Sequence, residues 1–177
     1  MAKVSEVKKI AKDKFKPTIE EYGFKFFGNG LTAYRKKNDI YQFITLNVWN
    51  AGNRLRSSIG CWVPEMQPDY DMNQFPKSLL PSCSGGGLTD EGVSHGTPVS
   101  DSQDISKVEL VEEALEQQLK LIESFALPFF EEISSRELLA KYDEKWFKDS
   151  FESMLEHEGS KHFNTYEEFQ SAILGRT

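Results

Sequence analysis

Hydrophobic residues recur at helical spacing near the N-terminus. Between Lys3 and Tyr22 they follow steps of three and four, which places them on one face of an amphipathic helix. Lysines occupy much of the remaining helix surface. Pro17 lacks a backbone N–H and crowds the preceding turn, so it should kink or split this helix. Gly23 is well placed to end the helix in the left-handed conformation.

After Gly23 the hydrophobic pattern changes to the period of two that is typical of strands. Three segments are rich in β-branched and aromatic residues: Leu31–Lys36, Ile40–Val48 and Leu55–Val63. Turn residues separate these segments and predict an antiparallel meander. With Phe24–Phe27 as an additional first strand, we expect a sheet of about four or five strands.

The turns also predict the register of the sheet. A two-residue turn at Asn38-Asp39 pairs Lys37 with Ile40, and a four-residue loop pairs Trp49 with Arg54. Both pairings assign the same faces. The aliphatic face should be covered by helices, and it consists of Leu31, Ala33, Ile44, Leu46, Val48, Leu55, Ile59, Cys61 and Val63. The opposite face carries Tyr34, Lys36, Tyr41, Phe43, Thr45, Asn47, Arg56, Ser58, Gly60 and Trp62.

The second face combines aromatic side chains with charged ones, which are the residue types that anchor interfaces. Two interpretations are open: the face binds a partner or ligand, or another part of the chain packs on it as a second layer. In the first case the candidate binding residues are Tyr34, Lys36, Tyr41, Phe43, Arg56 and Trp62.

Residues 64–104 differ in composition from the rest of the chain. They contain five of the seven prolines, five glycines and six serines. Irregular segments of this length are uncommon inside compact domains, so we expect a lid, a disordered insertion, or irregular packing that hides a short strand. The front of the segment should pack, whereas Ser84–Ser102 should be mobile, with Gly85–Gly87 as a flexible loop.

Helical spacing returns at Ile105–Phe125, and Pro128 should end that helix. Ser134-x-x-Glu137 and Thr165-x-x-Glu168 match capping boxes that open two further helices, the last one stopped by Gly175. We therefore predict one α+β domain over residues 1–177. It comprises an N-terminal helix and meander (1–63), an irregular segment (64–104) and a helical part (105–177), with helices on one face of the sheet.

Charge is unevenly distributed along the 177 residues, which carry 21 basic and 28 acidic side chains, net −7. Residues 1–63 hold 12 basic and 5 acidic side chains, net +7, whereas residues 64–177 hold 9 and 23, net −14. The two parts could neutralise each other inside one domain, or the basic part could bind an anionic partner. Nucleic-acid binding is disfavoured because the whole chain repels phosphates and lacks the usual aromatic RNA-binding strand motif.

The sequence carries no recognisable catalytic or metal-binding motif. His157 and His162 are five residues apart, which turns them to different sides of a helix. Cys83 and His95 would form a nucleophile and base pair only if a rigid loop held them together. We therefore predict no catalytic residue, no metal and no cofactor.

Three stretches resemble the bacterial "domain of unknown function 4304" family, over roughly residues 8 to 140. They are Gly23-Phe24-Lys25, the strand Leu31-Thr32-Ala33-Tyr34-Arg35-Lys36-Lys37, and Leu127-Pro128-Phe129-Phe130 followed by Ser134-Ser135. The resemblance implies an α+β fold and no established activity.

Met1–Glu6 carries charges where a signal peptide needs an apolar run, and no stretch has the roughly 18 apolar residues of a membrane span. We expect a cytoplasmic protein that does not contact membranes, with Cys61 and Cys83 reduced. The expected function is non-enzymatic recognition of a protein partner through the aromatic and Arg-bearing sheet face. The alternative is an enzyme or small-molecule binder that holds an anionic ligand at the same face; the sequence carries no signal for an oligomeric state.

Overall fold

The computed structural model describes residues 2–49, 53–75, 83–97 and 99–176. Two helices open the chain, α1 (Val4–Lys14) and α2 (Lys16–Glu21), with Pro17 in the first turn of α2. Gly23 follows with φ +82°, a conformation that glycine adopts at little cost. The predicted split at Pro17 and the stop at Gly23 are therefore both confirmed.

A seven-stranded antiparallel sheet follows. Its strands are β1 (Lys25–Phe26), β2 (Thr32–Lys37), β3 (Ile40–Trp49), β4 (Arg54–Trp62), β5 (Ser84–Thr89), β6 (Gly92–His95) and β7 (Ser102–Asp104). The strands pair in the order β1-β2-β3-β4-β5-β6, and β7 pairs with the beginning of β4. The predicted α+β fold is confirmed, but the sheet is larger than the predicted four or five strands.

The predicted register of the first meander is confirmed. Lys37 pairs with Ile40 across a turn in which Asn38 and Asp39 have φ values of 50° and 67°. These positive values match the hairpin turn that Asn and Asp favour. Trp49 pairs with Arg54 as predicted, although residues 50–52 of that loop lie outside the described residues.

The aliphatic face of the sheet forms the core together with the helices. Ile44 and Leu55 are fully buried, and so are Phe15, which lies between α1 and α2, and Phe130 of the C-terminal helices. Polar contacts also join the layers, since the side-chain amide of Gln42 donates to the carbonyl oxygen of Phe130 at 3.0 Å. The prediction that helices cover this face is therefore confirmed.

The interpretation of Gly85–Gly87 as a flexible loop is wrong, because these residues lie within β5 and pair with β4. A side chain at Gly85 would clash with the carbonyl oxygen of Ile59, and one at Gly86 with that of Ser94. Glycine therefore permits a close approach of neighbouring strands here, rather than flexibility. Among the alternatives for residues 64–104, the described part fits packing that conceals strands; residues 76–82 lie outside the described residues.

The C-terminal part is helical, as predicted. It contains α3 (Val111–Leu121), a π-helical turn (Ile122–Ala126), α4 (Leu127–Glu132), α5 (Arg136–His157) and α6 (Tyr166–Ile173). The expectation that Pro128 ends a helix is wrong, because it lies in the first turn of α4, where its missing N–H is harmless. Ser135 caps α5, one residue after the predicted Ser134, and Thr165 caps α6 as predicted.

No helix in the described ranges is both long enough and apolar enough to cross a membrane.

Candidate binding surfaces

The predicted binding residues lie on one face of the sheet, as the register required. Tyr41 pairs with Trp62, Phe43 with Gly60, and Asn47 with Arg56. The face divides into an aromatic half and a polar half. Arg56 lies six residues before Trp62 on β4, which separates the two side chains by about 20 Å along the strand.

The aromatic half is covered by the chain itself. Residues 64–75 fold over it, and the ring of Phe75 lies 5.0 Å from Tyr41, 6.1 Å from Phe43 and 6.4 Å from Trp62, measured between ring centroids. Trp62 is fully buried and Phe43 is 2% exposed. The seven rings that make up this aromatic cluster are Phe27, Tyr34, Tyr41, Phe43, Trp62, Tyr70 and Phe75.

Lys36 lies at the margin of the aromatic cluster, and Tyr34 is one of its seven rings. Lys36 is exposed, with its ammonium 5.3 Å from the ring centre of Tyr41 and 3.2 Å from the carboxylate of Asp39. Tyr34 is half-buried and stacks on Phe27 at 4.9 Å. In this conformation the cluster resembles a second core, which is one of the two interpretations left open by the sequence.

Arg56 lines a separate cavity of about 250 Å³ on the polar half of the face. Asn47, Ser58 and Ser100 contribute polar groups to its wall, and β5 contributes the backbone of Gly85–Gly87. The amide of Asn47 donates to the hydroxyl of Ser58 at 3.0 Å. Among the described residues that line this Arg56 pocket, Arg56 carries the only formally charged side chain.

A second cavity is a groove of about 820 Å³ between the N-terminal helices and β1. Its walls carry the ammonium groups of Lys8, Lys9, Lys12, Lys16 and Lys25, which define the lysine groove. Ser5, Lys8, Lys9, Lys12 and Lys16 share a flank of α1 and α2 because their spacing is helical. Glu20 is the one carboxylate among the described residues of its lining.

Lys14 and Lys37, which lie outside this groove, are paired with carboxylates of the acidic helices. The ammonium of Lys14 lies 2.9 Å from Glu112, and that of Lys37 lies 2.7 Å from Glu131. Both pairs join the basic N-terminal part to the acidic helices, so internal charge complementarity is present there. By contrast, four exposed lysines of the groove have no carboxylate of the described residues within ion-pair distance: Lys8, Lys9, Lys12 and Lys25.

Lys16 lies deeper in the groove than the other lysines. Its ammonium is 4.8 Å from the ring centre of Phe26, which forms part of the floor. Burial is the main cause that lowers the pKa of Lys16, and the positive charges of Lys8 and Lys12 lower it further. Glu20 opposes this effect. The ammonium groups therefore repel one another across the groove, and a bound anion would relieve that repulsion.

The titratable groups that could support catalysis are placed apart. Cys83 precedes β5 on the face shared with Gly60, whereas His95 lies on the helix-covered face, where its Nδ1 is 2.9 Å from the hydroxyl of Tyr142. Burial raises the pKa of the Cys83 thiol, which disfavours the reactive thiolate. The Cys83 and His95 pair considered from the sequence is therefore not formed.

A buried carboxylate links the sheet to the C-terminal helices. Asp143 is 2% exposed and accepts hydrogen bonds from the hydroxyls of Ser84 at 2.5 Å and Tyr166 at 2.8 Å. Burial raises the pKa of Asp143, and the two hydrogen bonds oppose that rise. These two hydrogen bonds join β5 and the last helix to α5.

Within the described residues, no three His, Cys, Asp or Glu side chains converge in a way that could hold a metal ion.

The sequence shows the lysines of α1 as the polar side of a helix, but it does not place Lys25 and Phe26 in the same site. The proximity of these residues to the lysines of α1 depends on how β1 docks beside the helices.

No family model matches the chain, and neither curated proteins nor solved structures show a match.

Proposed function

We propose that the protein is a non-enzymatic binding protein that recognises an acidic segment of another protein in the lysine groove. The observation that carries this proposal is the set of four exposed lysines with no carboxylate partner among the described residues. Exposed charges steer a partner of opposite sign and favour its binding. The cytoplasmic location expected from the sequence belongs to the same proposal.

An acidic protein segment fits this groove better than a nucleic acid does. Phe24 is 2% exposed and Phe26 is half-buried beneath Lys16, so neither offers an open ring face for base stacking. No arginine lines the groove in the described part of the chain, although arginine is the usual bidentate contact to phosphate. The net charge of −7 also repels a long polyanion.

Recognition through Tyr34, Tyr41, Phe43 and Trp62 stays a prediction. It requires Phe75 to leave the aromatic cluster, which would expose apolar surface that is now buried. The lysine groove requires no such rearrangement, which is why we favour it. The resemblance to the bacterial family of unknown function supplies no activity to set against this proposal.

The groove can be tested by fluorescence anisotropy with a labelled peptide of alternating Glu and Thr residues. The double variant Lys8→Gln/Lys12→Gln should bind it about tenfold more weakly, because two charge contacts of about 0.7 kcal/mol each are lost. The matched control is Lys14→Gln/Lys161→Gln, which removes the same charge from exposed positions outside the groove. The control should bind as the unaltered protein does.

Two outcomes contradict the proposal. Equal affinity of the groove variant and the control would show that the groove lysines do not hold the peptide. The other outcome is that a labelled oligothymidylate binds more tightly than the peptide and loses as much affinity in Lys8→Gln/Lys12→Gln. This result would favour nucleic acid over an acidic protein as the ligand.

A second candidate function is the binding of a small anion in the Arg56 pocket. The convergence of Arg56 with polar groups of Asn47, Ser58 and Ser100 supports it, because guanidinium and hydroxyl groups together suit a carboxylate or phosphate. Calorimetric titration with succinate and with inorganic phosphate tests this candidate. Binding that is lost in Arg56→Gln supports it, and the absence of binding to either anion rejects it.

A further inference from the structure

We propose that the acidic segment binds in an extended conformation, as an additional strand on the outer edge of β1. This inference rests on the proposed function of the lysine groove and adds the mode of recognition. An extended segment that joins a sheet edge gains main-chain hydrogen bonds, while its side chains give specificity.

The first step of the argument is that β1 is the terminal strand of the sheet. It pairs with β2 on one side, and no other strand of the described residues pairs with it. The N–H of Phe27 donates to the carbonyl oxygen of Thr32 at 3.0 Å. Hydrogen-bonded pairs alternate in an antiparallel ladder, so Lys25 and Tyr34 form such a pair, whereas the N–H and C=O of Phe26 point away from β2.

The second step is that this outer edge faces the lysine groove. Phe24, Lys25 and Phe26 all line the groove, across from the lysine-bearing flank of α1. A segment paired with Phe26 would therefore run through the groove. Its alternate side chains would point to the side of the sheet on which Phe26 contacts Phe15 and Lys16.

The third step concerns the charge of the added strand. Edge lysines normally prevent strands from adding at a sheet edge, because a neutral or basic strand gains no compensating charge contact. A strand with carboxylates at alternate positions would instead meet the ammonium groups of Lys8, Lys12 and Lys16. The same lysines thus disfavour the addition of neutral or basic strands and favour that of an acidic strand. Specificity then comes both from repulsion of basic partners and from attraction of an acidic one.

The backbone of Phe26 provides a direct test. Amide hydrogen exchange of the full chain is measured by NMR, with and without a saturating amount of the Glu and Thr peptide. Exchange of the Phe26 N–H should slow by about tenfold or more, because a new inter-strand hydrogen bond protects it. The N–H of Lys25 is the internal control and should change little, since it already lies on the β2 side.

A second measurement compares two N-methylated forms of the same peptide, one methylated at its odd-numbered residues and the other at its even-numbered residues. One form should bind about tenfold more weakly than the other, because only that form lacks the N–H groups that face β1.

The failure of this inference differs from the failure of the proposed function. Peptide binding that depends on Lys8 and Lys12 but leaves Phe26 exchange unchanged overturns strand addition and keeps the groove. A peptide that does not bind at all overturns both. A third outcome is slowed exchange at Phe26 together with equal affinity of the two N-methylated peptides. It also overturns strand addition, because the peptide would then shield the Phe26 N–H from water without forming a hydrogen bond to it.

Discussion

The aromatic cluster and the lysine groove both adjoin the first strands of the sheet, yet one is closed by the chain and the other is open. Trp62 is fully buried beneath residues 64–75, whereas Lys8, Lys9 and Lys12 remain exposed. The difference follows from solvation. Burying apolar rings is favourable at about 25 cal/mol per Å² of surface, whereas burying an unpaired ammonium costs several kcal/mol.

A surface rich in aromatic residues is the one that a chain is most strongly driven to cover. Ammonium groups are strongly hydrated and are not driven to leave water, and even the paired Lys14 and Glu112 remain exposed. An exposed charged groove is therefore the feature that the fold leaves for an outside partner. Four predictions test this comparison.

The largest effect is expected for Trp62→Ala. Removing a fully buried indole should lower the free energy of unfolding by about 3–5 kcal/mol, and the melting temperature by about 10 °C or more. Thermal unfolding followed by circular dichroism measures this change. The matched control is Trp49→Ala, since Trp49 is 54% exposed and its loss should cost less than about 1 kcal/mol. Equal melting temperatures for the two variants would mean that the aromatic cluster is not a second core.

Phe75→Ala should have a smaller effect, about 2 kcal/mol, because Phe75 is half-buried. Its specific consequence is exposure of the rings below it. Quenching of tryptophan fluorescence by acrylamide should increase relative to the unaltered protein, since Trp62 would lose part of its cover. Unchanged quenching would show that Phe75 is not needed to shield Trp62.

The buried carboxylate of Asp143 predicts a pH dependence of stability. Its pKa is raised by burial above the ordinary value of 3.8, so the folded state binds a proton more tightly than the unfolded state does. Stability should therefore fall as the pH rises from 3.8 through the raised folded value, and the loss should be complete above it.

Asp143→Asn removes this titration and can still accept from Tyr166 and donate to Ser84. Urea unfolding across acid to neutral pH should show a decline for the unaltered protein that is reduced in Asp143→Asn. Parallel pH profiles for the two proteins would contradict the assignment of this decline to Asp143.

The smallest effect is expected for single lysine substitutions. Lys12→Gln should leave the free energy of unfolding unchanged or raise it by a few tenths of a kcal/mol, because it relieves repulsion in the groove. Lys14→Gln breaks the exposed pair with Glu112 and should slightly lower the free energy of unfolding. The sign of the difference between these variants, measured by urea unfolding at low salt, decides whether the groove lysines are mutually repulsive in the absence of a partner.

Local sequence signals predicted most of the first meander. Asn38-Asp39 specifies a tight turn, and alternation of apolar residues then fixes which side chains share a face, so the pairing of Tyr41 with Trp62 followed. The same signals failed for β5, because glycine is usually a mark of loops. In β5 glycine is needed because the neighbouring backbones approach too closely for a side chain to fit.

The candidate sites show the same division. The sequence determined the net charge of +7 over residues 1–63, the lysine-bearing flank of α1 and the aromatic face of the sheet. The tertiary structure decided that Phe75 closes that face and that Lys25 joins the lysines of α1 in one groove. The physical reason is that periodicity along a chain orients side chains within one element. Which element packs beside it, and whether water or protein covers a side chain, depends on contacts between residues that are distant in sequence.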